Sequence, residues 1–156
     1  MEIQGGKFLT FTLSHEEYGI PINKVKEIIG MMEITHVPKT PKFIKGVINL
    51  RGKIIPIMDL RLKFEMEEKR YTERTCIIVV DITFEGVKKQ MGLAVDAVSE
   101  VVNIQTSEIE PPPEYGIHSK AGFLTGMGKV KGKVILLLDI ETILDNEELA
   151  ILKEIK

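Results

Sequence analysis

The chain repeats itself, and that repetition limits what it can fold into more than any other feature of the sequence. Tyr18–Ile29 (YGIPINKVKEII) laid over Met91–Val102 (MGLAVDAVSEVV) brings Gly19, Val25 and Glu27 onto Gly92, Val98 and Glu100. Phe43–Leu60 (FIKGVINLRGKIIPIMDL) laid over Phe123–Ile140 (FLTGMGKVKGKVILLLDI) brings Phe43, Gly46, Gly52, Lys53, Ile55 and Asp59 onto Phe123, Gly126, Gly132, Lys133, Ile135 and Asp139. Between the blocks Pro38 matches Pro111, and the second copy carries extra residues around Pro113 to Lys120. Colinear blocks in one order point to a duplicated structural unit. Each half reads as one small β-barrel or sandwich: a strand, a second strand running into a short turn, a third strand, then a hairpin. A half of about 75 residues with roughly five short strands suits a five-stranded SH3-like or OB-like barrel. Closing a sheet into a barrel also removes its edges. The alternative is a single large β-sandwich.

Local patterns fill in this outline. Phe8 to Leu13 is rich in strand formers and runs into the turn composition Ser14-His15-Glu16-Glu17. Pro21 marks an edge or a strand end. The spacing of Ile22, Val25, Ile28 and Ile29 predicts one or two helical turns, ended by Gly30. Met31 to Val37 reads as extended, and Pro38 and Pro41 punctuate a loop. Gly46–Leu50 and Ile54–Leu60 flank Arg51-Gly52-Lys53, a hairpin signature. The nearly continuous apolar run Thr75 to Thr83 predicts a buried strand. Only the C-terminus is convincingly helical, with Asp145 or Asn146 as cap, Glu147 and Glu148 in the first turn, and Leu149, Leu152 and Ile155 on one face.

Composition narrows the function. Hydrophobic residues make up 44% and charged residues 28%, ordinary for a globular protein. The balance of 21 basic against 23 acidic residues argues against a general polyanion binder. Lys39, Lys42, Lys45, Arg51, Lys53, Arg61 and Lys63 cluster in sequence, so a nucleic-acid-binding barrel stays open as the alternative function. Aromatics total only 6%, however, and no strand shows paired aromatics on which bases could stack. Cys76 lies in an apolar strand and reads as core rather than nucleophile, and one cysteine points to a reducing, cytoplasmic setting. There is no apolar run of bilayer length and no basic-then-apolar leader pattern at the N-terminus.

Catalytic chemistry finds no foothold. His15, His36 and His118 are isolated, and no spacing resembles a metal site. Asp59 and Asp139 lack the hydroxyl and glycine neighbours of an aspartic dyad. The glycines from Gly126 to Gly132 fit neither phosphate-loop spacing and read as a hairpin turn. The expectation is a non-enzyme without cofactor or metal.

The copies also differ in an informative way. Copy one reads Asn49-Leu50-Arg51-Gly52 where copy two reads Lys129-Val130-Lys131-Gly132. The planar fork of Arg51 suits bidentate pairing, which Lys131 cannot imitate. Arg51, with Asn49, is thus a candidate for something copy one does alone; the alternative is a solvated turn arginine.

These motifs carry a resemblance. Tyr18–Ile22, Val25–Ile29, the block Phe43–Arg61, Gly92–Val98 and Phe123–Gly126 resemble the CheW chemotaxis coupling proteins over nearly the whole chain. The stand-alone adaptor matches better than a receiver-fused relative or the kinase's own regulatory domain. The resemblance implies a single domain over 1–156, mainly β, of two five-stranded SH3-like barrels with a short C-terminal helix. The approximate sequence halves are 8–64 and 75–144, the helix is 145–156, and strand exchange between the barrels is possible. It implies a cytoplasmic, non-catalytic scaffold joining the cytoplasmic tips of methyl-accepting chemoreceptors to the regulatory domain of the histidine kinase CheA, without nucleic acid or membrane insertion. The receptor tip is expected in a groove between the barrels, and the kinase's barrels against the adaptor's ends. Val25, Glu27, Ile28, Gly46, Asn49, Arg51, Val98 and Val101 are the expected partner-binding residues. Glu27 and Arg51 are expected to meet as a pair.

Overall fold

The structure is a computed structural model and describes residues 4–112 and 123–154. Eleven strands and two short helices follow one another in the order β1 Gly6–Leu13, β2 Glu16–Pro21, β3 Val25–Gly30, β4 Ile44–Leu50, β5 Lys53–Asp59, α1 Leu60–Lys63, β6 Cys76–Phe84, β7 Val87–Val95, β8 Ala97–Ile104, β9 Ile109–Glu110, β10 Leu124–Val130, β11 Lys133–Leu138 and α2 Asn146–Glu154. The protein is mainly β, as expected. The strands form a six-stranded sheet ordered β8-β1-β2-β11-β10-β9 and a five-stranded sheet ordered β3-β6-β7-β5-β4.

The sheets do not follow the sequence halves. The hairpin β1–β2 of the first half joins β8 to β11 of the second, and the hairpin β6–β7 of the second joins β3 to β5 of the first. Chain connectivity enforces the exchange. Only Ile22–Lys24 separates β2 from β3 and only Asp96 separates β7 from β8, too little chain to step back over a hairpin within one sheet. The two parallel pairings are equivalent: Gly19 faces Leu137 in one sheet and Gly92 faces Ile57 in the other. A methyl on Gly92 would sit 2.5 Å from Ile57 Cδ1 and 2.7 Å from Ile77 Cγ2, and one on Gly19 would sit 3.2 Å from Ile135 and Leu137. The repeated glycine is therefore a spacer that lets an aliphatic side chain of the neighbouring strand lie over the backbone.

Three cores result. Ile48, Leu50, Ile55, Ile57, Ile77, Val79 and Ala94 fill the five-stranded sheet, and Phe8, Ile104, Ile135 and Leu137 fill the six-stranded one. The largest core lies between the sheets, where Leu9, Phe11, Leu13 and Ile20 meet Met58, Ile78, Val80, Met91 and Leu93. β6 feeds both a sheet core and the inter-sheet core, Ile77 and Val79 on one face and Ile78 and Val80 on the other. A strand buried on both faces loses polar alternation, which explains its unbroken apolar run. A line of rings, Phe11, Tyr18, Phe64 and Phe123, crosses this central core at centroid spacings of 5.9, 5.8 and 4.7 Å.

Several local expectations need correction. The predicted helical turns over Ile22–Ile29 are a single 3-10 turn, Ile22–Lys24, followed by strand β3. The apolar spacing misleads because a bulge between Val25 and Glu27 breaks the two-residue alternation against β6. Met31–Val37 forms no strand beyond a bridge from Thr35 to Val47. α1 was not expected: Asp59 caps it by accepting from Leu62 N–H, just as Asp139 caps the 3-10 turn Ile140–Thr142 by accepting from Glu141 N–H. Asp145, not Asn146, caps α2, exchanging hydrogen bonds with Glu148. Cys76 is only half-buried at the start of β6, its thiol directed at the Arg74 carbonyl. The insertion Pro113 to Lys120, His118 and Ile155 lie outside the described residues, as does the side chain of Leu152.

Candidate functional site

The expected site residues fall on two edge strands and one hairpin. β3 ends the five-stranded sheet and β8 ends the six-stranded one, so each offers an unpaired edge. Val25 and Val98, equivalent in the two copies, are half-buried against the inter-sheet core, at the seam where the sheets meet. Ile28 and Val101, also equivalent, point to solvent and remain 43% and 51% exposed. A second pair sequence reasoning missed behaves alike: Ile54 and Val134, each following the Gly-Lys of its hairpin, are 46% and 52% exposed. Each unit therefore displays an aliphatic side chain at the same two positions, and the five-stranded sheet adds Val87 of β7, although burying such groups is worth roughly 1.5–3 kcal/mol apiece. Their signal was in the sequence, since the members of each pair stand at one repeat position of the two copies.

The β4–β5 hairpin carries the polar part. Arg51 and Gly52 form its two-residue turn, with φ of 52° and 90°, a mirror-type turn that matches strand twist. Asn49 Oδ1 accepts from Gly52 N–H at 2.8 Å and locks this turn. The Arg51 guanidinium then reaches across to β3 and pairs with the Glu27 carboxylate. Because β3 and β4 are opposite edges of the five-stranded sheet, this ion pair spans the sheet's open seam. Gly46 lies beneath, buried, with a φ of 143°, and a side chain there would strike the Thr35 carbonyl. It brings the 31–43 loop against β4 through the Thr35–Val47 hydrogen bonds, at 2.8 and 2.9 Å.

In the six-stranded sheet the equivalent positions are wired differently. Lys129 stands where Asn49 does and pairs with Glu110 at 2.5 Å. Among the described residues, Lys131 and Glu100 join no ion pair.

Of the seven cationic residues that kept a nucleic-acid reading open, four are paired with carboxylates. Lys45 pairs with Glu68, Arg51 with Glu27, Arg61 with Asp96, and Lys63 with Glu148. Among the described residues no cluster of side chains is arranged to hold a metal. Among the described residues Tyr71 is strongly perturbed, its hydroxyl pushed far up by burial and by the Asp59 carboxylate, to which it donates a hydrogen bond at 2.9 Å. That bond ties the loop before β6 to the cap of α1 and is structural.

Comparisons with known proteins agree with this reading. The family model described as a CheW-like domain matches residues 7–148. A protein named Chemotaxis protein CheW from Klebsiella aerogenes is 42% identical over 154 residues, 99% of this chain and 90% of its own length. Its namesake from Bacillus subtilis is 32% identical over 92% of this chain and 89% of its own length. The crystal structure of the scaffolding protein TtCheW from Thermoanaerobacter tengcongensis superimposes with a TM-score of 0.81 at 36% identity, covering 93% of this chain and 96% of that one. Two sheets that exchange hairpins, each with an edge bearing matched aliphatic residues, fit these likenesses, and this chain belongs to the CheW-like family of non-catalytic chemotaxis scaffolds.

Proposed function

We propose that the protein joins the cytoplasmic tips of chemoreceptors to the regulatory domain of the histidine kinase CheA, in the cytoplasm at membrane-bound receptor arrays. The observation that carries this reading is the matched display of Ile28 with Ile54 on one unit and Val101 with Val134 on the other. Two equivalent apolar displays suit a partner made of similar barrels, and such head-to-tail contacts propagate into rings or lattices. Val25 and Val98, at the seam, are the apolar floor for a helical receptor tip. Glu27, Arg51 and Asn49 supply the polar register that distinguishes one unit from the other. Gly46 supports that hairpin from beneath rather than touching a partner. No described helix is long and apolar enough to cross a membrane, so membrane attachment is assigned to the receptors.

A three-way pull-down tests this. The purified chain is expected to retain a receptor cytoplasmic hairpin fragment and the kinase regulatory domain together, and to raise receptor-dependent kinase activity. Retention of neither partner would overturn the reading, and salt-sensitive capture of oligonucleotides instead would favour a nucleic-acid barrel.

A further inference from the structure

Two ion pairs stand where the chain crosses between the sheets, one partner of each, Arg61 and Glu141, at the same repeat position, and their polarity is inverted. At the first crossing, Asp96 is the single residue between β7 of the five-stranded sheet and β8 of the six-stranded one. Its carboxylate accepts from Ser14 N–H, in the β1–β2 turn, at 2.8 Å and from Arg61, on α1 after β5, at 2.7 Å. Its own N–H donates to the Thr12 carbonyl at 3.1 Å. One carboxylate thus holds a turn of one sheet and a cation of the other. At the second crossing, Lys24 leads from β2 into β3, and Glu141 follows β11. The Glu141 carboxylate accepts from Lys24 at 2.9 Å and from Thr83 N–H, in β6 of the other sheet, at 3.0 Å. Here the carboxylate follows the hairpin strand and the cation sits at the crossing, the reverse of Arg61 and Asp96.

Each clamp stands at the root of a strand bearing candidate site residues. Lys24 immediately precedes Val25, and Asp96 lies two residues before Val98. The hydrophobic core between the sheets sets how closely they approach, but apolar packing is not directional and leaves sliding and rotation soft. Short charge-assisted hydrogen bonds are directional. The Arg61–Asp96 pair is only 12% and 18% exposed, which shields it from screening by water and salt.

Building on the proposed function, we propose that Asp96 with Arg61 and Glu141 with Lys24 are positioning residues. They fix the angle between the two barrels and thereby the width of the seam in which Val25 and Val98 receive the receptor tip. They touch no partner themselves. Loss of either clamp leaves each barrel folded and changes the relation between them.

The test compares wild type with Asp96→Asn, Arg61→Met, Arg61→Lys and Glu141→Gln. Residual dipolar couplings report barrel orientation, and titration with a receptor tip fragment reports affinity. In Asp96→Asn and Arg61→Met, couplings within each barrel should fit the wild-type structure while the two barrels no longer share one alignment frame. Receptor affinity should fall about fivefold, the size expected of a coupling change away from the contact. Glu141→Gln should act likewise but less, and Arg61→Lys should restore most of the loss. An unchanged orientation, or a changed orientation with unchanged affinity, overturns the inference. Val98→Ser, which alters the seam itself, separates the two levels. If it weakens receptor binding while the clamp variants do not, the clamps are ordinary surface pairs. If it too binds as wild type, the proposed seam falls, and the inference with it.

Discussion

The β4–β5 and β10–β11 hairpins share a backbone and differ at their tips. Each has a two-residue turn with positive φ at both positions, Arg51–Gly52 and Lys131–Gly132. Each has the same register shift, at Ile44/Gly46 and at Leu124/Gly126, and each ends with an aspartate N–H donating to a phenylalanine carbonyl, Asp59 to Phe43 and Asp139 to Phe123. Beyond the backbone the likeness stops. Arg51 crosses to Glu27 on the opposite sheet edge, whereas Lys131 pairs with no described residue. Among the residues common to both hairpins are those the backbone needs: the turn and bulge glycines and the capping aspartates. At the tips, the residues that separate the copies, Asn49 against Lys129 and Arg51 against Lys131, stand in solvent, where packing does not dictate them. There the first unit carries the Arg51–Glu27 ion pair, which has no described counterpart in the second.

The largest effect is expected at the register shift of the first hairpin. Gly46→Ala places a methyl into the Thr35 carbonyl at a φ of 143°. Strain and overpacking together are expected to cost at least about 3 kcal/mol, read as a fall in denaturation midpoint. An unchanged midpoint for Gly46→Ala would contradict it.

The spacer glycines come next. Gly92→Ala meets Ile57 and Ile77 at 2.5 and 2.7 Å inside a filled core, while Gly19→Ala meets its neighbours at 3.2 Å. The first should lose about 2 kcal/mol and the second under about 1. The reverse order would show that the five-stranded unit is the more compliant of the two.

The smallest effect is electrostatic. Burial alone would raise the Glu141 carboxyl, but the hydrogen bonds from Lys24 and Thr83 N–H and the Lys24 charge outweigh it and hold it below the ordinary 4.5. A depressed carboxylate stabilises the folded chain fully above its unfolded value and loses that contribution as pH falls through the folded one. Glu141→Gln should therefore be less stable than wild type near neutrality, by about 0.5 kcal/mol for so exposed a pair, with the gap closing below about pH 4. A gap constant from pH 7 to pH 3, followed by urea denaturation, would remove Glu141 from the charge account.

How much of this was legible in the sequence follows from which forces act locally. The duplication, the hairpin Gly46–Leu60, the buried run in β6 and the singling out of Arg51 are written in short patterns or in direct comparison of the copies, whereas the expectation that Arg51 meets Glu27 came with the family resemblance. β3 was misread as helix because its bulge mimics a helical spacing, and a bulge is decided by the partner strand. Strand exchange hides in the three residues Ile22–Lys24 and the single Asp96, where the shortness of a link matters more than its residue types. The clamps at Asp96 and Glu141 join residues distant in sequence, and no periodicity announces them.

The central claim is that the Glu27–Arg51 pair makes one barrel's hairpin a partner contact. It is tested most directly by titrating the kinase regulatory domain and a receptor tip fragment against wild type, Arg51→Glu and Lys131→Glu, with thermal unfolding of each. An exposed ion pair contributes about 1 kcal/mol or less to stability, so all three should unfold at nearly the same temperature. Arg51→Glu should weaken at least one partner by tenfold or more, the loss of about 1.4 kcal/mol or greater expected when a contact charge is reversed, while Lys131→Glu binds that partner as wild type does. Equal effects of the two substitutions, or none from either, would contradict the assignment.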